Sequence, residues 1–280
     1  MKKVLFAFLI LFSFQLTYAQ RSLPDSNKRA YNIFNPTPRD KMRGMQTDRP
    51  DVTESPFSVD AGHFQMEGDA YRLTLNNSYG IRTREYYYNV ANMKVGLINS
   101  IDLQLVVPFY LYETIKFIDG QNETRHTGLN GFTMRLKKNV WGNDKGRTAL
   151  AIMPFVNIQT GKDVEDRRLE GGVVVPFSAE LTETWSFGTQ AQIAFLRNDK
   201  RKYATEILNS LTFGKALSGS SSAFIESHYT YNFDLKNFEC FLNGGFVYSF
   251  SENFKLDLGL NYGLTKGSDR TYFIGYSFRL

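Results

Sequence analysis

The sequence predicts an all-β fold, a transmembrane antiparallel up-and-down β-barrel of about 12 strands with an irregular N-terminal segment. Three observations support this prediction. The chain begins with an export signal, most of the remainder alternates between apolar and polar residues, and aromatic residues make up 15% of the composition. The mean hydropathy of −0.33 does not decide the class, because a barrel averages its lipid-facing and lumen-facing residues to a similar value.

The first element is a secretory signal peptide over residues 1–19. Lys2 and Lys3 supply a positive start, an apolar stretch follows from Val4 to Phe14, and small residues ending at Ala19 precede the expected cleavage. The apolar stretch is too short to cross a bilayer. We therefore expect an exported mature chain that begins at Gln20.

Net charge and cysteine count limit the partners of the chain and the covalent cross-links within it. The formal net charge is +5, and it falls to +3 when Lys2 and Lys3 are removed with the signal. No long basic run occurs, so no nucleic-acid partner is predicted. Cys240 is the single cysteine. An intrachain disulfide is therefore excluded, and a closed hydrogen-bond ladder is the expected source of stability.

Residues 20–61 form the second element, an extended segment ahead of the barrel. The stretch contains five prolines and shows no sustained period. Its charges cannot face lipid, because they need water or protein partners. Three interpretations stay open: a disordered periplasmic leader, a segment that lines the periplasmic mouth, and a plug that folds into the lumen and pairs with inward Arg and Lys. The candidate plug residues are Asp48, Arg49, Asp51 and Glu54.

The barrel itself is predicted over residues 62–280, as twelve runs of alternating character. In one clear run, Phe254, Leu256 and Leu258 alternate with Lys255 and Asp257. A soluble sandwich would also alternate. The turns favour the barrel, because every second connection is short, beginning with Asn99-Ser100. The intervening ones are longer, and they are predicted over residues 116–128, 161–168, 198–202 and 266–270.

Three prolines lie inside predicted strands, at Pro108, Pro154 and Pro176. Proline cannot donate a backbone hydrogen bond to the neighbouring strand. Bulges or bends in the barrel wall are therefore expected at these positions.

The block Thr47-Asp48-Arg49-Pro50-Asp51-Val52-Thr53-Glu54-Ser55-Pro56, followed by Gly62 to Gly68, resembles the family of MetA-pathway-of-phenol-degradation proteins, often called transporters. Gly128 to Lys137 is similar to the family's glycine-rich strand opening, although Phe132 replaces a commoner acidic residue. Gln159-Thr160-Gly161 resembles a strand-end turn of the family. The resemblance implies a Gram-negative outer-membrane barrel that passes small solutes, hydrophobic or aromatic ones included. It implies no enzyme of phenol degradation.

Inward-facing charged and amide side chains are the candidates for lining the lumen. They either fill the bore with ion pairs or line a permeation path, and a bore of twelve strands is narrow enough for filling to be favoured. The candidates are Glu67, Asp69, Lys94, Asp102, Gln104, Arg135, Lys137, Glu170, Glu180, Glu226, His228, Lys255 and Asp257.

The C-terminal residues and the histidines are the remaining candidates for a functional role. Gly275, Phe278 and Leu280 fit the spacing of a barrel-assembly signal. The three histidines are isolated in sequence, and no metal site or cofactor is predicted. A lipid hydrolase would need a serine and a histidine on the lipid face, whereas His228 has the inward phase. No catalytic residue is therefore proposed.

Three functional hypotheses follow. The leading one is a passive channel for a small solute in the outer membrane, whose other partners are outer-membrane lipid and the barrel-assembly machinery. The second is a structural or surface-interaction barrel with a closed lumen. The third is an outer-membrane lipid hydrolase.

Overall fold

The computed structural model describes residues 28–78, 81–117, 123–128, 131–159, 169–197 and 202–280. The predicted signal peptide (residues 1–19), residues 20–27, the predicted loop 161–168 and all of the loop 198–202 except Lys202 lie outside these ranges. No helix in the described part of the chain is long and apolar enough to cross a membrane.

The described chain is almost entirely β-strand from Phe64 to Arg279. The strands are β1 (Phe64–Ser78), β2 (Ile81–Ile98), β3 (Ile101–Phe117), β4 (Glu123–Gly128), β5 (Phe132–Trp141), β6 (Thr148–Ile158), β7 (Leu169–Glu180), β8 (Trp185–Arg197), β9 (Tyr203–Ala216), β10 (Ser221–Asn232), β11 (Asn237–Ser251), β12 (Phe254–Gly263) and β13 (Arg270–Arg279).

These strands close into one antiparallel barrel. Consecutive strands pair with each other except β4 with β5, and β13 returns to pair with β1, which closes the wall. The short strands β4 and β5 both pair with β3, β4 against its second half and β5 against its first half. They share one place in the wall, which gives twelve places and confirms the predicted fold class.

One predicted loop is wrong. Residues 116–128 were expected to form a single long loop, whereas β3 continues to Phe117 and β4 pairs with it from Glu123 to Gly128. The backbone ladder extends here beyond the stretch that alternates in sequence. Where water reaches both faces of a hairpin, alternation is not required, so the pattern gave no strand signal.

The two ends of the barrel differ less in loop length than predicted. We call the end of the barrel at which β1 begins and β13 ends the terminal rim, and we call the opposite end the loop rim. The turn Asn99-Ser100 lies at the terminal rim, as predicted. The connection over residues 233–236 lies at the loop rim but is as short as the terminal-rim turn over residues 217–220.

The two faces of the wall have the reverse of a soluble protein's polarity. On β12, Leu258 is 54% exposed on the outside, whereas the adjacent Asp257 is 4% exposed on the inside. The largest fully buried side chains of the described residues are Lys94 and Lys137. The apolar exterior therefore suits hydrocarbon, and the polar groups must satisfy one another in the lumen.

The strand ladder is interrupted beside each of the three strand prolines. The β3 ladder to β5 stops at Val106, before Pro108. Residues 136 and 137 of β5 have no ladder partner opposite Pro154, and residues 175 and 176, the second of which is Pro176, have none on β6. Missing ladder pairs therefore accompany the prolines, but the pairing register is the same on both sides of the gaps at Pro154 and Pro176, so no bulge is present there.

Candidate functional site

The N-terminal residues run into the barrel lumen before β1 begins. We call residues 42–61 the luminal segment. Its backbone has no strand ladder beyond a single bridge between Ala61 and Gly96, and inward side chains of the wall accept its N–H groups instead. The hydrogen bonds run from Asp48 N to Glu67 (2.8 Å), Val52 N and Thr53 N to Glu226 (2.9 and 2.8 Å), Glu54 N to Gln190 (2.8 Å) and Val59 N to Asp102 (2.9 Å).

Asp48 lies at the centre of one buried ion cluster. One carboxylate oxygen is 2.5 Å from Lys94 Nζ and the other is 2.6 Å from Lys137 Nζ. Lys94 also pairs with Glu67 on the neighbouring strand. Removing one partner of such a buried pair strands an uncompensated charge, which costs about 3–5 kcal/mol. The cluster therefore holds the luminal segment against β1, β2 and β5.

Arg49 forms a second cluster, with acids of β1 and β12. Its guanidinium donates two hydrogen bonds to Asp257, at 2.7 and 3.2 Å, and a further one to Asp69. The strand register places Gly275 between these two aspartates, and a Cβ built on Gly275 would overlap the guanidinium. The glycine therefore makes room for the arginine between its two carboxylates.

Glu54 and Thr53 fix the tip of the luminal segment. Glu54 pairs with Arg135 at 2.5 Å. The Thr53 hydroxyl lies 2.6 Å from both the Glu226 carboxylate and the Ser210 hydroxyl. Because these contacts reach β5, β9 and β10, the luminal segment touches the wall on all sides.

A fourth set of contacts holds the luminal segment at the terminal rim. Arg43 lies 2.8 Å from Asp144 and also donates to Asn99, while Lys28 is 3.2 Å from Asp144. Burial by itself would raise the pKa of Asp144, but the hydrogen bond from Asn99 and the charge of Arg43 outweigh it and hold that pKa below its ordinary value. The carboxylate is therefore favoured in its charged form.

The structure brings most of the predicted lumen and plug residues into this one network. The exceptions lie at the two rims. Glu170 is half-buried near the loop rim, where it accepts a hydrogen bond from Arg197 N at 3.0 Å. Glu180 ends β7 at the terminal rim and is exposed.

Five further predicted residues lie at the edge of the network. Gln104 donates to Asp102 at 2.9 Å, and Lys255 donates to the carbonyl of Met45 at 2.7 Å. His228 is buried in the lumen with its ring stacked on Phe241 at 4.6 Å. Asp51 lines the chamber described below and lies near Glu226.

The predicted assembly residues close the sheet at the terminal rim. Phe278 packs near Phe64 of β1, with ring centroids 6.4 Å apart, and Leu280 N donates to the carbonyl of Phe64 at 2.9 Å. Gly275 has the additional contact with Arg49 described above, which its sequence pattern did not indicate.

The luminal segment contributes to two chambers. The loop-side chamber has a volume of about 560 Å³, and residues 48–52 and Glu54 contribute to its lining, with inward residues of the wall. The terminal-side chamber has a volume of about 880 Å³ and is lined by residues 42–46, residues 249–253 and Arg279. The luminal segment thus lies between openings toward each rim.

Nothing in the described ranges indicates a metal centre. No three His, Cys, Asp or Glu side chains there are arranged to hold a metal ion. His228, the candidate for a lipid hydrolase, faces the lumen and not the lipid. The described side chains of the lumen form ion pairs and hydrogen bonds beside the two chambers.

Sequence reasoning missed the terminal-rim contacts of Lys28, Arg43, Asp60 and Asp144. These residues lie in irregular segments and a turn, so they have no strand phase to mark them as inward. A charged residue inside a glycine-bounded turn, such as Asp144 between Gly142 and Gly146, was the available signal.

Comparison with known proteins identifies the family. Residues 47–280 match the model of the family described as "Putative MetA-pathway of phenol degradation". The chain belongs to this family. The match begins at Thr47, so this family unit includes the tip of the luminal segment as well as the barrel, and the resemblance predicted from the sequence is confirmed.

Solved structures support the fold of this family member. The COG4313 outer membrane channel from Pseudomonas putida F1 has a TM-score of 0.57 and 11% identity, covering 84% of this chain and 100% of that one. The NanC porin has a TM-score of 0.49 and 10% identity, covering 77% of this chain and 100% of that one. The CymD monoaromatic hydrocarbon channel has a TM-score of 0.44 and 10% identity, covering 78% of this chain and 88% of that one. Of these three structures, the COG4313 channel alone has a TM-score above 0.5, and it supports the fold. Curated protein sequences give no significant match.

Proposed function

We propose that this protein is an outer-membrane channel through which small polar solutes pass down their own gradients. The proposal places the exposed apolar exterior in the lipid and assigns passage to the lumen. It requires no cofactor and no catalytic residue.

The observation that carries the proposal is the pair of polar chambers on either side of the luminal segment. The luminal segment, held by side-chain contacts and not by a strand ladder, contributes residues 48–52 and Glu54 to one chamber and residues 42–46 to the other. The fold shared with an outer-membrane channel supports the same reading. A small movement of the luminal segment would join the two chambers.

The polarity of the loop-side chamber favours hydrophilic solutes over the hydrophobic or aromatic ones that the family resemblance implied. Its aromatic contributions are Tyr87 and Phe273, whereas charged and amide residues dominate the remainder. Transfer of an apolar solute past this many hydrogen-bonding groups would leave those groups unsatisfied. We therefore assign the channel to polar solutes.

We further propose that the luminal segment acts as a plug. The cluster around Asp48 ties it to β1, β2 and β5, and the cluster around Arg49 ties it to β1 and β12. Loss of either cluster would leave buried charges unpaired and favour undocking. The plug would then set how often the path is open.

Solute uptake by liposomes that contain the full mature chain tests the proposal. We expect small polar solutes to enter faster than they enter protein-free liposomes, and faster still in the double variant Asp48→Asn, Arg49→Met. The matched control is Arg39→Met, which changes an exposed arginine outside the luminal segment. If neither the wild-type protein nor the double variant takes up solute faster than protein-free liposomes do, the result would contradict a channel.

A second candidate function is a structural barrel whose lumen stays shut. The observation in its favour is the number of contacts that hold the luminal segment in place on all sides. The same uptake assay separates the two functions, since a shut barrel passes no solute even when the luminal segment is loosened.

A further inference from the structure

We propose that the loop-side chamber is a binding site for small organic cations, which are solutes that carry an ammonium group. This inference rests on the proposed function, because it names the solute class of the same lumen. It is argued from charge, strand register and unsatisfied oxygen atoms.

The charge balance of the chamber is negative. Seven acidic residues and three basic ones line it, a formal excess of four negative charges. Lys94 and Lys137, which lie outside this lining, compensate Asp48 and Glu67. Asp51, Glu85 and Asp269 of the lining have no ion pair among the described residues. A cavity of one sign with low-dielectric walls concentrates ions of the opposite sign.

The basic residues of the chamber are already occupied. Arg49 pairs with Asp69 and Asp257, Arg72 pairs with Asp69, and Arg135 pairs with Glu54. An anionic solute would have to displace one of these carboxylates. A cationic solute needs no such exchange.

Strand register places acceptor side chains in one continuous row around the chamber wall. Each member is the direct cross-strand partner of the next, in the order Glu226, Asn243, Asn261, Thr271, Thr74 and Glu85. Direct partners lie about 5 Å apart. The row therefore runs from Glu226, which holds the tip of the luminal segment, toward the loop rim.

Unsatisfied oxygen atoms point to a donor-bearing ligand. Asn243 is 5% exposed, and its Oδ1 is buried with no hydrogen-bond partner among the described residues. The amide orientation follows from its Nδ2, which donates to the Glu226 carboxylate at 2.5 Å. Glu54 Oε2, Asn92 Oδ1 and Asn261 Oδ1 are likewise without a donor. Buried acceptors are normally satisfied, so these positions favour a ligand that supplies N–H groups.

The spacing favours an ammonium group over a metal ion. Ca²⁺ needs six to eight oxygens within about 2.3–2.6 Å, which a row with one side chain per strand does not provide. An ammonium group presents N–H donors that fit acceptors placed singly. The chamber volume of about 560 Å³ suits a small organic molecule.

Equilibrium binding to the detergent-solubilised full chain tests the inference, with benzylammonium, benzyl alcohol and benzoate as probes of similar shape and different charge. We expect calorimetry to show that benzylammonium binds most tightly. Glu85→Gln should weaken that binding about tenfold, the loss of one hydrogen bond to a charged group. Asn261→Asp should strengthen it, a gain that a folding defect cannot produce.

The matched control is Glu183→Gln, which removes an exposed carboxylate in the β7–β8 turn at the terminal rim, outside both chambers, and should leave binding unchanged. Equal affinity for the three probes, a preference for benzoate, or no effect of either chamber variant would overturn the inference. Uptake in liposomes is measured separately. Cation binding without uptake would support the binding site and contradict the channel. Uptake without a preference for cations would support the channel and contradict the binding site.

Discussion

The ion pairs of Arg49 should control how often the luminal segment leaves the wall. Arg49→Met keeps most of the side-chain volume but removes the guanidinium from between Asp69 and Asp257. Both carboxylates are nearly inaccessible to water, with side-chain exposures of 1% and 2%. The substitution therefore strands buried charge, which costs about 3–5 kcal/mol.

The lower end of that range applies here, because Arg72 remains paired with Asp69. Asp257 alone loses its partner among the described residues. A loss of about 3 kcal/mol in docking free energy corresponds to a rise of roughly a hundredfold in the population of the undocked state. The other clusters still hold the luminal segment, so the barrel itself should remain folded.

Hydrogen–deuterium exchange of the peptide over residues 46–61 measures this population directly. The N–H groups of Asp48, Val52, Thr53 and Val59 donate only to wall side chains, so they exchange when the luminal segment undocks. We expect about a hundredfold faster exchange in Arg49→Met and wild-type exchange in Arg39→Met. Unchanged protection in Arg49→Met, or equal loss in both variants, would refute the reasoning.

Three further predictions concern other parts of the molecule. Gly275→Ala should displace the Arg49 guanidinium at a cost of about 1–3 kcal/mol, seen as faster exchange over residues 46–61, and wild-type exchange would contradict the close contact. Because the pKa of Asp144 lies below its ordinary value, its contribution to docking should be fully present above about pH 4 and lost only as the pH falls below about 4, through the lowered pKa of the folded state. Trp141 fluorescence should follow this loss, and Asp144→Asn should abolish that pH dependence. Leu258→Arg should lower the unfolding free energy in lipid by about 2–4 kcal/mol, whereas Leu264→Arg near the rim should lower it by about 0–1 kcal/mol, and equal effects would argue against lipid contact at Leu258.

The faces of the strands were predictable from alternation, and the fold class from alternation together with the export signal and the aromatic content. On β12 the apolar residues Phe254, Leu256 and Leu258 face outward as expected, because a closed wall assigns every second residue to the same side. The β3–β4 hairpin was not predictable, since it extends where alternation no longer matters. Loop lengths were a weaker guide than the phase of the strands.

The candidate site was predictable in its members but not in its pairings. The inward phase of Lys94 and Lys137 and the charges of Asp48 and Arg49 could be read from the sequence. Which carboxylate meets which cation depends on the stagger of neighbouring strands, which a single sequence does not specify. The role of Gly275 beneath Arg49 depends on both the register and the path of the luminal segment, so it required the structure.

A disulfide between the luminal segment and the wall tests the central claim most directly. Thr53 Oγ1 and Ser210 Oγ lie 2.6 Å apart, so Thr53→Cys and Ser210→Cys in a Cys240→Ser background should join without rearrangement of the backbone. We predict that the two thiols oxidise in the folded protein, and that the bilayer conductance of the oxidised protein is lower than that of the reduced protein. If both thiols still react with a labelling reagent after oxidation, the luminal segment is not docked at Ser210. If the oxidised and reduced proteins have the same conductance, the luminal segment does not control passage.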